Sequence, residues 1–86
     1  MNLIVDIHNK IVKIILLEGK NEKDEIEIEE FNNLSEKLLP TIAEILEKND
    51  LKPKNIGKME LKTDLNDGFT TFRIAKTVVD TFNFGK

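Results

Sequence analysis

Eighty-six residues, 40% of them hydrophobic and 34% charged, with a net charge of −3, bound the chain to one small folded domain. A chain of this size buries only about 60–65% of the surface it exposes when unfolded, so its core is shared among few elements. The acidic balance offers no electrostatic footprint for DNA or RNA. The absence of cysteine removes disulfides, thiolate metal clusters and thiol nucleophiles, and no run of about 18 uncharged apolar residues is present to cross a membrane.

The N-terminus begins directly on a strand-like pattern, with no basic segment ahead of it, so no secretory leader is expected and a cytoplasmic location is. Leu3 to His8 alternates, with Leu3, Val5 and Ile7 on one face and Ile4, Asp6 and His8 on the other. Asn9-Lys10 is a two-residue hairpin candidate without the glycine that favours a type I′ turn. Ile11 to Glu18 is β-branched and almost continuously apolar, the pattern of a central strand. Gly19-Lys20-Asn21-Glu22 then predicts a turn. Asp24 to Phe31 predicts an edge strand, with Ile26 and Ile28 inward and a solvated acidic face of Glu25, Glu27 and Glu29.

A helix is predicted from about Leu34 to Lys48, where Leu34, Leu38, Ile42, Ile45 and Leu46 follow helical spacing. Asn33 or Ser35 is in place to cap it, and Asn33 is preferred because Glu36 then falls at the capping-box position. Pro40 removes one backbone donor inside this run and bends the helix slightly or lies near its first turns. Asn49-Asp50 ends it, and Leu51 to Gly57, with Pro53, is a connector with room for one helical turn. Lys58 to Thr63 is a short fourth strand with Met59 and Leu61 on one face.

The last stretch, Leu65 to Phe84, opens on the turn signal Asn66-Asp67-Gly68 and runs into a helix with an unusually broad apolar arc. Phe69, Phe72, Ile74, Ala75, Val78, Val79 and Phe82 cover roughly 200° of its circumference, against the roughly 100° stripe of a helix with one core contact. The excess predicts contact with something besides the helix's own sheet. The element order β-β-β-α-β-α gives an α/β fold over residues 1–86, a mixed sheet in the order 3-2-1-4 with two helices on one face, which resembles a ribonuclease-H-like half-domain. In that layout the second sheet face and the fourth strand stay uncovered.

Two segments resemble a known family. LSEKLLPTIAEILEKNDLKPKNI, Leu34 to Ile56, is similar to the HSExLLPxIxxLLxxxxLxxxDI segment of the TsaB (YeaZ) family. GFTTFRIAKTVVDTF, Gly68 to Phe82, is similar to that family's GPGSFTGLRIGxxxAKGLA segment. Phe69, Thr70, Arg73 and Ile74 match the FTxxRI positions, and Ser35, Glu36, Leu38, Leu39 and Pro40 match SExLLP. The departures are Leu65-Asn66-Asp67-Gly68 in place of GPGS, Leu34 in place of the histidine, and Thr71 and Ala75 in place of glycines. The second lobe of that actin- and hexokinase-like fold is missing, and with it the nucleotide cleft between lobes.

The resemblance implies a non-catalytic companion that pairs, through first-lobe helices, with a TsaD-like protein in making threonylcarbamoyladenosine on transfer RNA. It also implies a homodimer through the same surface when that protein is absent. The expected interface residues are Leu34, Leu38, Phe69, Phe72, Arg73, Ala75, Lys76 and Val79, with no catalytic residue, metal or cofactor and no direct contact with nucleic acid. Asp6 is read as a strand-end carboxylate bonding turn amides, His8 as a partly exposed strand residue, and Asn66-Asp67-Gly68 as turn and N-cap chemistry.

Two alternatives stand beside this reading. In a ribonuclease-H-like nuclease, Asp6, Glu36 or Glu44, and Asp64 or Asp67 would hold two magnesium ions. The third reading is an interaction module of an unrelated complex.

Overall fold

The computed structural model describes residues 1–8, 11–28, 34–66 and 68–84, and of Ser35 the backbone alone. Four strands, β1 (Asn2–His8), β2 (Ile11–Glu18), β3 (Asn21–Ile28) and β4 (Lys58–Thr63), form one sheet in the order β3-β2-β1-β4. The pairs β1–β2 and β2–β3 are antiparallel, and β4 joins β1 in parallel after the chain has crossed through α1 (Leu34–Lys48). A 3-10 turn at Pro53–Asn55 and the closing helix α2 (Thr70–Phe84) complete the order. The α/β architecture and strand order are those the alternation and hairpin spacing predict.

Register explains which side of the sheet is greasy. Leu3 faces Leu16 and Met59, Val5 faces Ile14 and Leu61, and Ile7 faces Val12 and Thr63 across β2, β1 and β4. Ile26 and Ile28 extend that layer into β3. Leu34, Leu38, Ile42, Ile45 and Leu46 of α1 and Ala75 and Val79 of α2 bury themselves against it in one cluster. Each fully buried aliphatic side chain of that layer contributes about 1.5–3 kcal/mol relative to exposure. The opposite face holds Ile4, Ile15 and Leu17. The apolar stripe there is narrow, because Glu60 pairs with Ile4, Glu25 with Ile15 and Glu22 with Leu17, while Lys13 and Lys62 flank Asp6. Ile4, with no helix above it, is still only 7% exposed. Long charged stems flanking an apolar side chain shield it from water.

The third strand starts earlier than its apolar pattern suggests. Only Gly19-Lys20 turns the chain, Glu18 already pairs Asn21, and Gly19 sits at φ 65°. A positive φ at the first central residue is the type II′ arrangement, whose twist suits a hairpin. The ladder then shifts register between Leu16 and Leu17, which face Asp24 and Glu22 and leave Lys23 as the extra residue of a bulge. Asp24 shares the helix-covered side with Ile26 and Ile28 by alternation and is half-buried, so it does not belong to the solvated acidic face.

Helix α1 runs through Pro40, which is exposed, and stops where its last carbonyls are satisfied. Leu51 N–H donates to the Leu46 carbonyl at 2.8 Å and Asp50 N–H to Glu47 at 3.1 Å, with Asp50 at φ 57°. This is a left-handed C-terminal cap of the Schellman type made without glycine. The proposed Asn9-Lys10 turn, the Asn33 cap and Glu29 to Phe31 lie outside the described residues.

Candidate functional site

Helix α2 begins where the Asn66 side chain accepts the Gly68 N–H at 2.9 Å and the Asn66 carbonyl accepts the Phe69 N–H at 3.2 Å. A Cβ on Gly68 would sit 3.0 Å from that Asn66 oxygen, so a larger residue there would have to displace the Asn66 side chain. Turn chemistry thus accounts for Asn66 and Gly68, and Asp67 lies outside the described residues. Beyond the turn, Ala75 is 0% and Val79 6% exposed, while Ile74, Val78 and Phe82 are partly buried against the same core.

The breadth of the apolar arc has a physical reason inside the molecule. Helix α2 packs against β4 below and against α1 beside it, so two contacts absorb the arc from Ile74 round to Val79. Four of the expected interface residues are therefore core: Leu34 (2%), Leu38 (0%), Ala75 and Val79 have no surface to offer a partner. The other four stand together on one flank. Phe69 is 52% exposed, Phe72 is half-buried, and Arg73 and Lys76 are exposed. Helical spacing makes these four neighbours, and Lys76 Nζ is held by Asp80 at 2.9 Å. Phe84, near the end of the helix, is 93% exposed.

Phe72 overhangs the edge of the sheet. A groove runs between β4 and α2, lined by Met59, Leu61 and Thr63 below and by Phe72, Lys76 and Val79 above. Farther along α2, Asn83 reaches the backbone of Met59. Its side-chain oxygen accepts the Met59 N–H at 2.9 Å and its amide nitrogen donates to the Met59 carbonyl at 2.8 Å. One amide thus does for Met59 what a neighbouring strand would do. Residue-type reading of the sequence passed over Asn83, since an asparagine near a helix end signals nothing until β4 is seen to be an edge strand.

On the uncovered face, Asp6 and His8 stand two residues apart on β1, with Nδ1 of His8 2.5 Å from a carboxylate oxygen of Asp6. Lys13, Ile15, Glu22 and Glu25 border the same shallow cleft. Glu22 titrates above the ordinary carboxylate range because it shares a hydrogen bond with Glu25, with desolvation and the charge of Glu25 acting in the same direction. Glu36 and Glu44 are exposed on α1, and Asp64 is exposed past the end of β4. Among the described residues no three histidine, aspartate or glutamate side chains converge to hold a metal ion. Among them, too, no helix is long and apolar enough to cross a membrane.

The chain matches no model of a known protein family, and no curated protein matches it.

Proposed function

We infer that the chain is a docking domain whose working surface is the outer flank of α2, with Phe69, Phe72, Arg73 and Lys76 as its contact residues. One observation carries this reading: Phe69 stands 52% exposed at the start of α2, one turn from half-buried Phe72, which borders the open groove along β4. Aromatic and arginine side chains dominate the energetics of protein–protein contacts, because they bring large area at modest entropic cost. Two aromatic rings with an arginine and a lysine on one helical flank make a suitable anchor, and the helix beneath them is fixed by Ala75 and Val79.

The likeness of Gly68 to Phe82 and of Leu34 to Ile56 to TsaB segments nominates the partner. It is a TsaD-like protein offering the helical layer of its own first lobe, in a non-catalytic assembly for modifying transfer RNA. The test is binding of the purified full chain to the TsaD-like protein of the same cell, followed by calorimetry. Binding that Phe69→Asp reduces by roughly a hundredfold, as loss of an aromatic anchor worth about 2–3 kcal/mol would, supports the reading, provided that circular dichroism is unchanged. No binding by the native chain removes the TsaD-like partner. Capture of a different protein from the native host, again lost with Phe69→Asp, reassigns the same surface to another complex.

A further inference from the structure

Strand β4 is the edge of the sheet, and only part of that edge is guarded. Asn83 occupies both backbone groups of Met59. Alternation along a strand aims the N–H and C=O of Leu61 and Thr63 the same way as those of Met59, outward from β1. An edge with unpaired donors and acceptors is a template for another strand. On the sheet face away from the helices the same strand shows Lys58, Glu60 and Lys62, with Asp64 next in the alternation.

We propose that β4 pairs antiparallel with β4 of a second copy of this chain, about a two-fold axis at Leu61, joining the two sheets into one. The charge pattern selects that register. With the axis at Leu61, Glu60 faces Lys62 of the second copy, Lys62 faces its Glu60, and Lys58 faces its Asp64. With the axis at Glu60, Glu60 would face Glu60 and Lys58 would face Lys62, and like charges directly opposite are destabilising. An axis at Met59 needs the backbone groups that Asn83 holds. In the Leu61 register the two Leu61 residues exchange both backbone hydrogen bonds, and their side chains lie on the helix side, over the groove under Phe72. Extending the ladder to pair Met59 with Thr63 requires Asn83 to let go, so Asn83 limits how tightly the copies join. Phe72 and Lys76 of the docking flank border the groove that Leu61 lines, whereas Glu60 and Lys62 lie on the opposite side of the sheet from α2, so substitutions there leave Phe69 and Arg73 untouched.

Sedimentation of the full chain over a concentration series tests the pairing. Asn83→Ala is expected to move dimer formation to lower concentration. Adding Glu60→Lys to it weakens the dimer roughly tenfold, through two like-charge cross-strand pairs, and adding Lys62→Glu as well restores it. Mixing Glu60→Lys chains with isotope-labelled Lys62→Glu chains yields mixed dimers over either homodimer, read by native mass spectrometry. A second readout keeps Asn83 in place. Directly opposed residues in such a pair have Cα atoms about 5.5 Å apart, within the roughly 4.4–6.8 Å a disulfide spans. Leu61→Cys, in a chain without other cysteines, is then expected to oxidise to a covalent dimer, and Glu60→Lys to slow it. A charge exchange that fails to restore association, or Leu61→Cys chains that stay monomeric on oxidation, overturns the proposal.

Discussion

The side-chain amide of Asn49 donates to the Asp24 carboxylate at 2.9 Å and to the Ile45 carbonyl at 2.8 Å, tying β3 to the C-terminus of α1 across 25 residues of sequence. The Asp24 carboxylate also accepts the Glu25 N–H at 2.8 Å, and Lys48 lies 3.5 Å away. The Asn49 hydrogen bond is the main reason that Asp24 titrates below the ordinary carboxylate range. Partial desolvation works against it, and the Glu25 amide and Lys48 assist.

A depressed carboxylate pKa stabilises the fold above the unfolded-state value of about 3.9, and that contribution is lost as the pH falls through the folded-state value. The melting temperature is therefore expected to drop below about pH 4, by the linkage between proton binding and unfolding. Asn49→Ala is expected to lower the melting temperature at pH 7 and to flatten that acid-side drop. Asp24→Asn should flatten it further. Thermal melts followed by circular dichroism at several pH values check both; an acid limb unchanged by Asp24→Asn would place the sensitivity elsewhere.

The two faces of α1 make a sharp contrast. Leu38 is 0% exposed and its neighbour Leu39 is 58% exposed. Leu38→Ala is expected to cost about 2–5 kcal/mol, a large fraction of the ~5–15 kcal/mol that typical domains possess, whereas Leu39→Ala should stay within about 0.5 kcal/mol. Urea titrations measure both. Equal effects would mean the helix is rotated from the position described.

On α2 the contrast separates core from docking flank. Ala75, at 0% exposed, is packed within the core cluster. Ala75→Leu is expected to destabilise by roughly 1–3 kcal/mol through overpacking. Phe69→Ala should change stability by about 0.5 kcal/mol or less while weakening attachment of the partner. A Phe69→Ala variant that loses stability as Ala75→Leu does would return Phe69 to the core.

Two residues with positive φ give opposite expectations. A methyl group on Gly19, at φ 65°, would meet no other atom within 4 Å, so Gly19→Ala carries only the backbone penalty, about 1 kcal/mol of destabilisation. Asp50, at φ 57°, carries that penalty already. Asp50→Gly is expected to stabilise by about 0.5–1 kcal/mol, since glycine is the residue that the left-handed cap prefers. Chemical denaturation of the pair checks the signs.

The strand alternation from Leu3 to Ile7, the apolar run of β2 and the helical spacing from Leu34 to Leu46 determined the elements, the sheet order and the helix-covered face. Those are consequences of period and parity, which a linear chain displays openly. Three matters were decided only in three dimensions. The breadth of the α2 arc is spent partly on α1, because a helix in a layer touches a neighbouring helix as well as the sheet, and so Ala75 and Val79 became core while Phe69 stayed outside. Asp24 shares the face of Ile26 and Ile28 by alternation, but its bond to Asn49 exists only once the end of α1 is laid beside β3. The guarding of Met59 by Asn83 joins residues 24 positions apart. No local pattern encodes such a bond, because it exists only once a strand edge and a helix end are brought side by side.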